Sequence, residues 1–173
     1  MSELRHPAPR WARWIAGGFG SGHLRPAPGT WGSLAAVAAW LLLRRPLAHL
    51  PGPGWAWGFL TCLALTGLGI HAATTVVRAT GEKDPDWIVV DEWAGQWIAL
   101  LPLWSASPAG GTPPLWDARV LLPLALFRLF DIWKPGFVHR LQALPEGWGV
   151  VMDDVLAGVY AALATALWLA VRS

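Results

Sequence analysis

The chain has 173 residues, enough for one domain of ordinary size, and 54% of them are hydrophobic against 14% charged. With fourteen tryptophans, far more than a core of this size needs, that imbalance points to a membrane protein. A net charge of +2 argues against nucleic acid as a partner, and the one cysteine, Cys62, lies in the apolar run Phe59–Leu65, where it reads as a small hydrophobe with no disulfide to make.

The segment 1–15 carries Arg5, Arg10 and Arg13 among prolines and has no apolar h-region, so it is not a cleavable signal peptide. Next comes Gly18-Phe19-Gly20-Ser21-Gly22, then Pro28-Gly29-Thr30-Trp31-Gly32-Ser33-Leu34. Thr30 fits a helix N-cap with Ser33 in the first turn, where exposed backbone N–H groups can receive an anion. Ser21, Gly22, Thr30 and Ser33 are therefore candidate phosphate ligands. Alone, the motif reads as turn and capping chemistry, and it matches neither Walker A nor the dinucleotide fingerprint.

Five apolar stretches follow at about Trp31–Leu43, Trp55–Val77, Trp87–Trp104, Leu115–Trp133 and Val155–Val171. Breaks fall at Pro46, 51–54, 81–85, 108–114 and 135–149, and no strand-like alternation persists. The pattern predicts an all-α fold: a single domain over 1–173, a membrane-associated bundle of about five main helices with short extra turns. The longest stretch could cross a bilayer, while the first and last are marginal.

If the helices alternate in direction, the basic N-terminal segment and the loops after the second and fourth helices share one side. Of thirteen Lys and Arg residues only Arg44, Arg45, Arg119 and Arg172 lie on the other, as does only Asp117 of eleven acids. The positive-inside rule makes the motif-bearing side cytoplasmic.

That side carries the chemistry. Arg128, Asp131 and Lys134 are spaced by three, so they form a cation–anion–cation stripe on one helix face, ended by Pro135. Such a stripe can hold a phosphate and a metal together, or merely keep two helices in register. Asp91 with Gly95, and Asp154 with Gly158, repeat a spacing of four in which the glycine admits a neighbouring backbone or ligand. The macrodipole alone would account for Asp84, Asp86 and Asp153, but poorly for Asp91-Glu92 after the apolar Ile88-Val89-Val90. Carboxylates from three segments, Asp91, Glu92, Asp131, Asp153 and Asp154, suit a hard cation, and beside phosphate that cation is Mg²⁺. No Cys/His pattern offers zinc, and the Cys-x5-Arg loop is absent because Leu68 stands where arginine is required.

Taken together, Gly18–Gly22, Pro28–Leu34, Ile88-Val89-Val90-Asp91-Glu92-x-x-Gly95, Phe127–Pro135 and Gly149-Val150-Val151-Met152-Asp153-Asp154-x-x-Ala157-Gly158 resemble phosphatidylglycerophosphatase A enzymes, in order, over about residues 16–160. The resemblance implies a bacterial inner-membrane, multi-pass, Mg²⁺-dependent enzyme that removes the terminal phosphate of phosphatidylglycerophosphate, a phospholipid substrate, and an all-α fold able to form homo-oligomers. On that reading Asp91, Asp131 and Asp154 are catalytic and Arg128 and Lys134 hold the phosphate. Water is the expected nucleophile, since there is no credible cysteine and the serines lie in turns. One segment departs from the family: His139-Arg140-Leu141-Gln142 and Glu146-Gly147 stand where an aspartate-arginine pair and a double glycine are expected. The competing class is a small ion or solute transport protein using carboxylates at one membrane face.

Overall fold

The computed structural model describes residues 7–105 and 113–172, and among them it is helical with no strand. Arg5 and the greater part of the break at 108–114 lie outside the described residues. The helices are α1 (Arg10–Ala16), α2 (Pro28–Ala48), α3 (Gly54–Thr80), α4 (Val90–Ala99), α5 (Pro102–Ser105), α6 (Ala118–Trp133), α7 (Val138–Leu141) and α8 (Glu146–Arg172), with a 3-10 turn at Gly18–His23 between α1 and α2.

Each expected apolar stretch contains a helix, with three differences. The third stretch is split: α4 ends at Ala99 and α5 begins at Pro102, because proline has no N–H with which to continue the ladder. The last helix is longer than its apolar run, beginning at Glu146, so Asp154 lies in its interior and not at its start. Pro46 sits in the final turn of α2 and does not stop it short. The start of α2 also differs from the expectation: Ala27, at φ 59°, is the N-cap, Pro28 takes the first helical position where its missing N–H costs nothing, and Thr30 falls inside the first turn.

Helix ends follow local chemistry. Gly81, at φ 71°, closes α3 by donating its N–H to Val77 O at 2.8 Å. Asp117 caps α6 by accepting the Arg119 N–H at 2.8 Å, and Lys134, at φ 49°, ends it just before Pro135.

Helices α3 and α8, each 27 residues, are the two described helices long and apolar enough to cross a membrane. Both turn small residues inward, Gly58, Gly69, Ala72 and Ala73 on α3 and Ala157, Gly158 and Ala161 on α8, and leave leucines such as Leu60, Leu63, Leu163 and Leu167 on the outside. Small residues inside and leucine outside is the arrangement of helices packed in lipid, where burying leucine between helices gains little. Helix α4, at 10 residues or about 15 Å, is too short to span a hydrocarbon core of about 30 Å alone.

The most extensive helix pairing joins α4 to α8. At its centre Gly95 and Gly158 face each other: a Cβ on Gly158 would strike the Gly95 carbonyl, and one on Gly95 would strike Phe127 and the Asp154 carbonyl. Because these obstacles are largely backbone, Gly158→Ala is expected to destabilise the fold by about 1–3 kcal/mol, the usual cost of overpacking, read as a lower thermal midpoint in detergent. Gly67→Ala, with open space around it in the interior of α3, does not lower the midpoint.

Candidate active site

Two helix ends, the interior of a third helix and one loop converge on a single acidic cavity of about 250 Å³. Helix α4 contributes Asp91 and Glu92 from its first turn, where the positive end of the helix favours carboxylates. That turn is fixed from outside by the Val89 N–H, which donates to Ala16 O at 2.8 Å. Helix α6 brings Asp131 and, at its end, Lys134; α8 brings Asp153 and Asp154; the loop before α4 brings Asp84 and Asp86.

One carboxylate oxygen each from Asp91, Glu92 and Asp154 lies within 4.8 Å of the others. Asp154 is 4% exposed and Asp153 3%, so solvent does little to separate these charges. At an effective dielectric of about 20, two unit charges this close repel by about 3.5 kcal/mol, so the three groups either meet a compensating positive charge or give up some of their own by protonation.

The protein supplies part of that charge. Lys134 Nζ donates to Asp153 Oδ2 at 2.5 Å and lies 3.9 Å from Asp131. Arg128 pairs with Asp131 at 2.7 Å and faces Glu92 at 3.6 Å. The predicted stripe of Arg128, Asp131 and Lys134 is therefore real, and it is turned toward the acids of α4 and α8. Arg128 itself does not line the cavity, whereas Lys134 does.

The acids still outnumber the cations. Buried oxygens Glu92 Oε2 and Asp153 Oδ1 have no hydrogen-bond donor among the described residues. Burial, then repulsion from Asp153 and Asp131, pushes the Asp84 carboxyl above the usual carboxylate range despite the pull of Lys134 and Lys83. Burial opposes the charge on Lys134, but the hydrogen bond to Asp153 and the charges of Asp153, Asp154 and Asp131 outweigh it and raise its pKa. An oxygen-only donor set with unfilled lone pairs and excess negative charge fits a hard divalent ion such as Mg²⁺.

The glycine-rich motif meets the site differently from expectation. Gly29 touches it, because any side chain there would collide with Glu92 and Arg128. The hydroxyls are directed elsewhere: Ser21 Oγ donates to Gly18 O at 2.7 Å and accepts from Trp93 Nε1 at 3.3 Å, and Ser33 Oγ donates to Gly29 O at 2.9 Å. The Gly22 N–H is held by Gly17 O at 3.0 Å, while Thr30 is exposed. Asp84 is a site residue that the dipole argument passed over. In the divergent segment, Glu146 pairs with Arg78 at 2.7 Å and stays outside the acidic cavity.

With carboxylates clustered beside a lysine and an arginine at one end of an apolar helical bundle, the chain is a phosphoric monoester hydrolase associated with membranes. The chain belongs to the phosphatidylglycerophosphatase A family, whose profile matches residues 14–169. It is 42% identical over 157 residues to a Bacteroides thetaiotaomicron protein named "Putative phosphatidylinositol-3-phosphatase", covering 89% of this chain and 92% of that one. It is 37% identical to a phosphatidylglycerophosphatase A of Haemophilus influenzae, covering 86% of this chain and 83% of the relative. The Escherichia coli protein of the same name is 32% identical, with coverages of 86% and 77%. No solved structure matches the chain.

Removing Lys134 strands a buried aspartate. Lys134→Met is expected to cost on the order of 3 kcal/mol in stability, and Lys134→Met with Asp153→Asn to recover most of it, measured by denaturation in detergent.

Proposed function

We propose that this chain hydrolyses the terminal phosphomonoester of phosphatidylglycerophosphate, giving phosphatidylglycerol and inorganic phosphate, with Mg²⁺ as cofactor. The observation that carries the reading is the cluster of Asp91, Glu92 and Asp154 oxygens beside Lys134. Asp91, Glu92 and Asp154 would hold the ion, with Asp131 and Asp153 next to them. When bound, it would neutralise charge on the phosphate and favour ionisation of an attacking water.

The chain's own groups divide the remaining work. Lys134, on the cavity wall, binds a phosphate oxygen, exchanging part of its contact with Asp153 for the substrate. Arg128, which does not line the cavity, acts on the phosphate's surroundings by holding Asp131 and facing Glu92. Asp131 orients both cations from between them. A buried carboxylate, Asp154 or Asp91, accepts the water proton as the water oxygen attacks phosphorus. The phosphorus–oxygen bond to glycerol breaks, and the alkoxide takes up the proton that the carboxylate accepted. Of Ser21, Gly22, Thr30 and Ser33, Ser33 is the one bonded to Gly29, whose missing side chain leaves room for Glu92 and Arg128.

Membership of the family supports a multi-pass protein of the bacterial inner membrane, and the distribution of Lys and Arg supports an acidic cavity on the cytoplasmic side. The name of the Bacteroides relative favours a second reading, in which the phosphomonoester sits on an inositol headgroup.

The test is phosphate release from phosphatidylglycerophosphate in mixed micelles by the purified protein. Release is expected with Mg²⁺ and absent with excess EDTA. Asp91→Asn and Asp154→Asn are expected to lower kcat by at least about a hundredfold while remaining folded. Full activity in either variant removes that residue from the chemistry. Faster release from phosphatidylinositol 3-phosphate than from phosphatidylglycerophosphate selects the second reading.

Mg²⁺ binding to the folded state alone also raises stability, by about 2.7 kcal/mol at a hundred times its dissociation constant. The thermal midpoint of the wild type is expected to rise with Mg²⁺, and that of Asp154→Asn to stay nearly flat.

A further inference from the structure

The same end of the molecule carries a second cavity, of the opposite sign. It measures about 270 Å³ and is lined by Arg10, Arg13, Trp14, Gly20 and His23, with no acid among them. Helix α1 builds one wall. It buries Ala12 and Ala16 and turns Arg10, Trp11, Arg13 and Trp14 outward. The 3-10 turn builds the other. Its backbone is left-handed at Gly18, Phe19 and Gly20, with φ of 54°, 55° and 98°. An aromatic residue rarely adopts such a φ, and here the turn displays Phe19, 60% exposed, instead of burying it. His23 is steadied by stacking on Trp87, with ring centroids 5.7 Å apart.

Two features combine at Arg10 and Arg13. Arg25, Arg78, Arg119 and Arg128 each face a carboxylate, whereas Arg10 and Arg13, like Arg45, Arg140 and Arg172, form no ion pair among the described residues. They are also flanked by exposed Trp11, Trp14, Phe19 and Leu24, so an anion held there would sit beside apolar side chains of the kind that enter a membrane interface. A soluble anion uses only the first feature; an anionic lipid uses both.

We propose that this pocket binds the phosphodiester headgroup of an anionic glycerophospholipid, at a site separate from the acidic cavity. The two arginine forks meet the phosphate oxygens, and the surrounding aromatic side chains lie against the acyl-chain boundary. Since the Val89 N–H is bonded to Ala16 O, a lipid held on α1 anchors the segment that fixes the start of α4. The inference concerns binding and is independent of which phosphomonoester is hydrolysed.

The experiment titrates the full-length protein in non-ionic detergent with dihexanoylphosphatidylglycerol, dihexanoylphosphatidylcholine or inorganic phosphate, following the thermal midpoint and tryptophan fluorescence. The glycerol lipid is expected to raise the midpoint saturably, and the choline lipid and inorganic phosphate to leave it unchanged. In Arg10→Gln/Arg13→Gln, whose lipid-free midpoint matches the wild type, the half-saturating concentration is expected to rise about tenfold or more. Arg10→Lys/Arg13→Lys is expected to restore most of the response. An equal response to the choline lipid, a full response to inorganic phosphate alone, or an undiminished response in the glutamine variant overturns the proposal.

Discussion

Two glycines without side chains, Gly95 and Gly158, let α4 and α8 meet backbone to backbone. Each lies one turn beyond an aspartate, so the same contact that locks the helices together forces Asp91 and Asp154 into one small volume. In a lipid-facing bundle, close approach of small residues is a main source of helix affinity. Here that affinity works against electrostatic repulsion. Lys134 and Arg128 approach from α6 and offset part of it.

The rest of the end cap follows from this constraint. Gly29 has to be a glycine because Glu92 and Arg128 occupy the space a side chain would need. The N-terminal segment has to lie where Ala16 can accept the Val89 N–H, which places α1 and its arginines beside the acidic cavity. Acidic and basic pockets at one end of an apolar bundle give the molecule a polar working face, while α3 and α8 carry their leucines outside.

Much of this was legible in the chain before any coordinates. The three-residue spacing of Arg128, Asp131 and Lys134 is a helical period, and the two aspartate-glycine pairs repeat another, so the stripe and the close approach at Gly95 were readable. What sequence could not convey is where a helix begins when no apolar residue marks it: α8 starts among Glu146 and Gly147, in a segment that reads as loop. Nor could it tell a hydroxyl free for a ligand from one used locally, as with Ser33, whose proton goes to Gly29 O four residues earlier. Nor does the sequence show that Arg44 is buried, donating to Leu103 O at 3.0 Å across a contact distant in sequence. Asp84 joins the site for a similar reason, through partners on α6 and α8 that its neighbours do not announce.

Helix α8 is the last of these elements to be synthesised, yet it packs against α3, α4, α6 and α7 and brings Asp153 and Asp154. Until it arrives, Lys134 lacks its closest partner, Gly95 faces no opposing glycine, and Asp91 and Glu92 stand at the head of a helix too short to span the bilayer. The acidic cavity is therefore complete only once the final helix docks. A chain truncated before α8 keeps the contacts of Arg128 with Asp131 and Glu92 but lacks Asp153 and Asp154, so completion of the cluster and completion of the fold coincide.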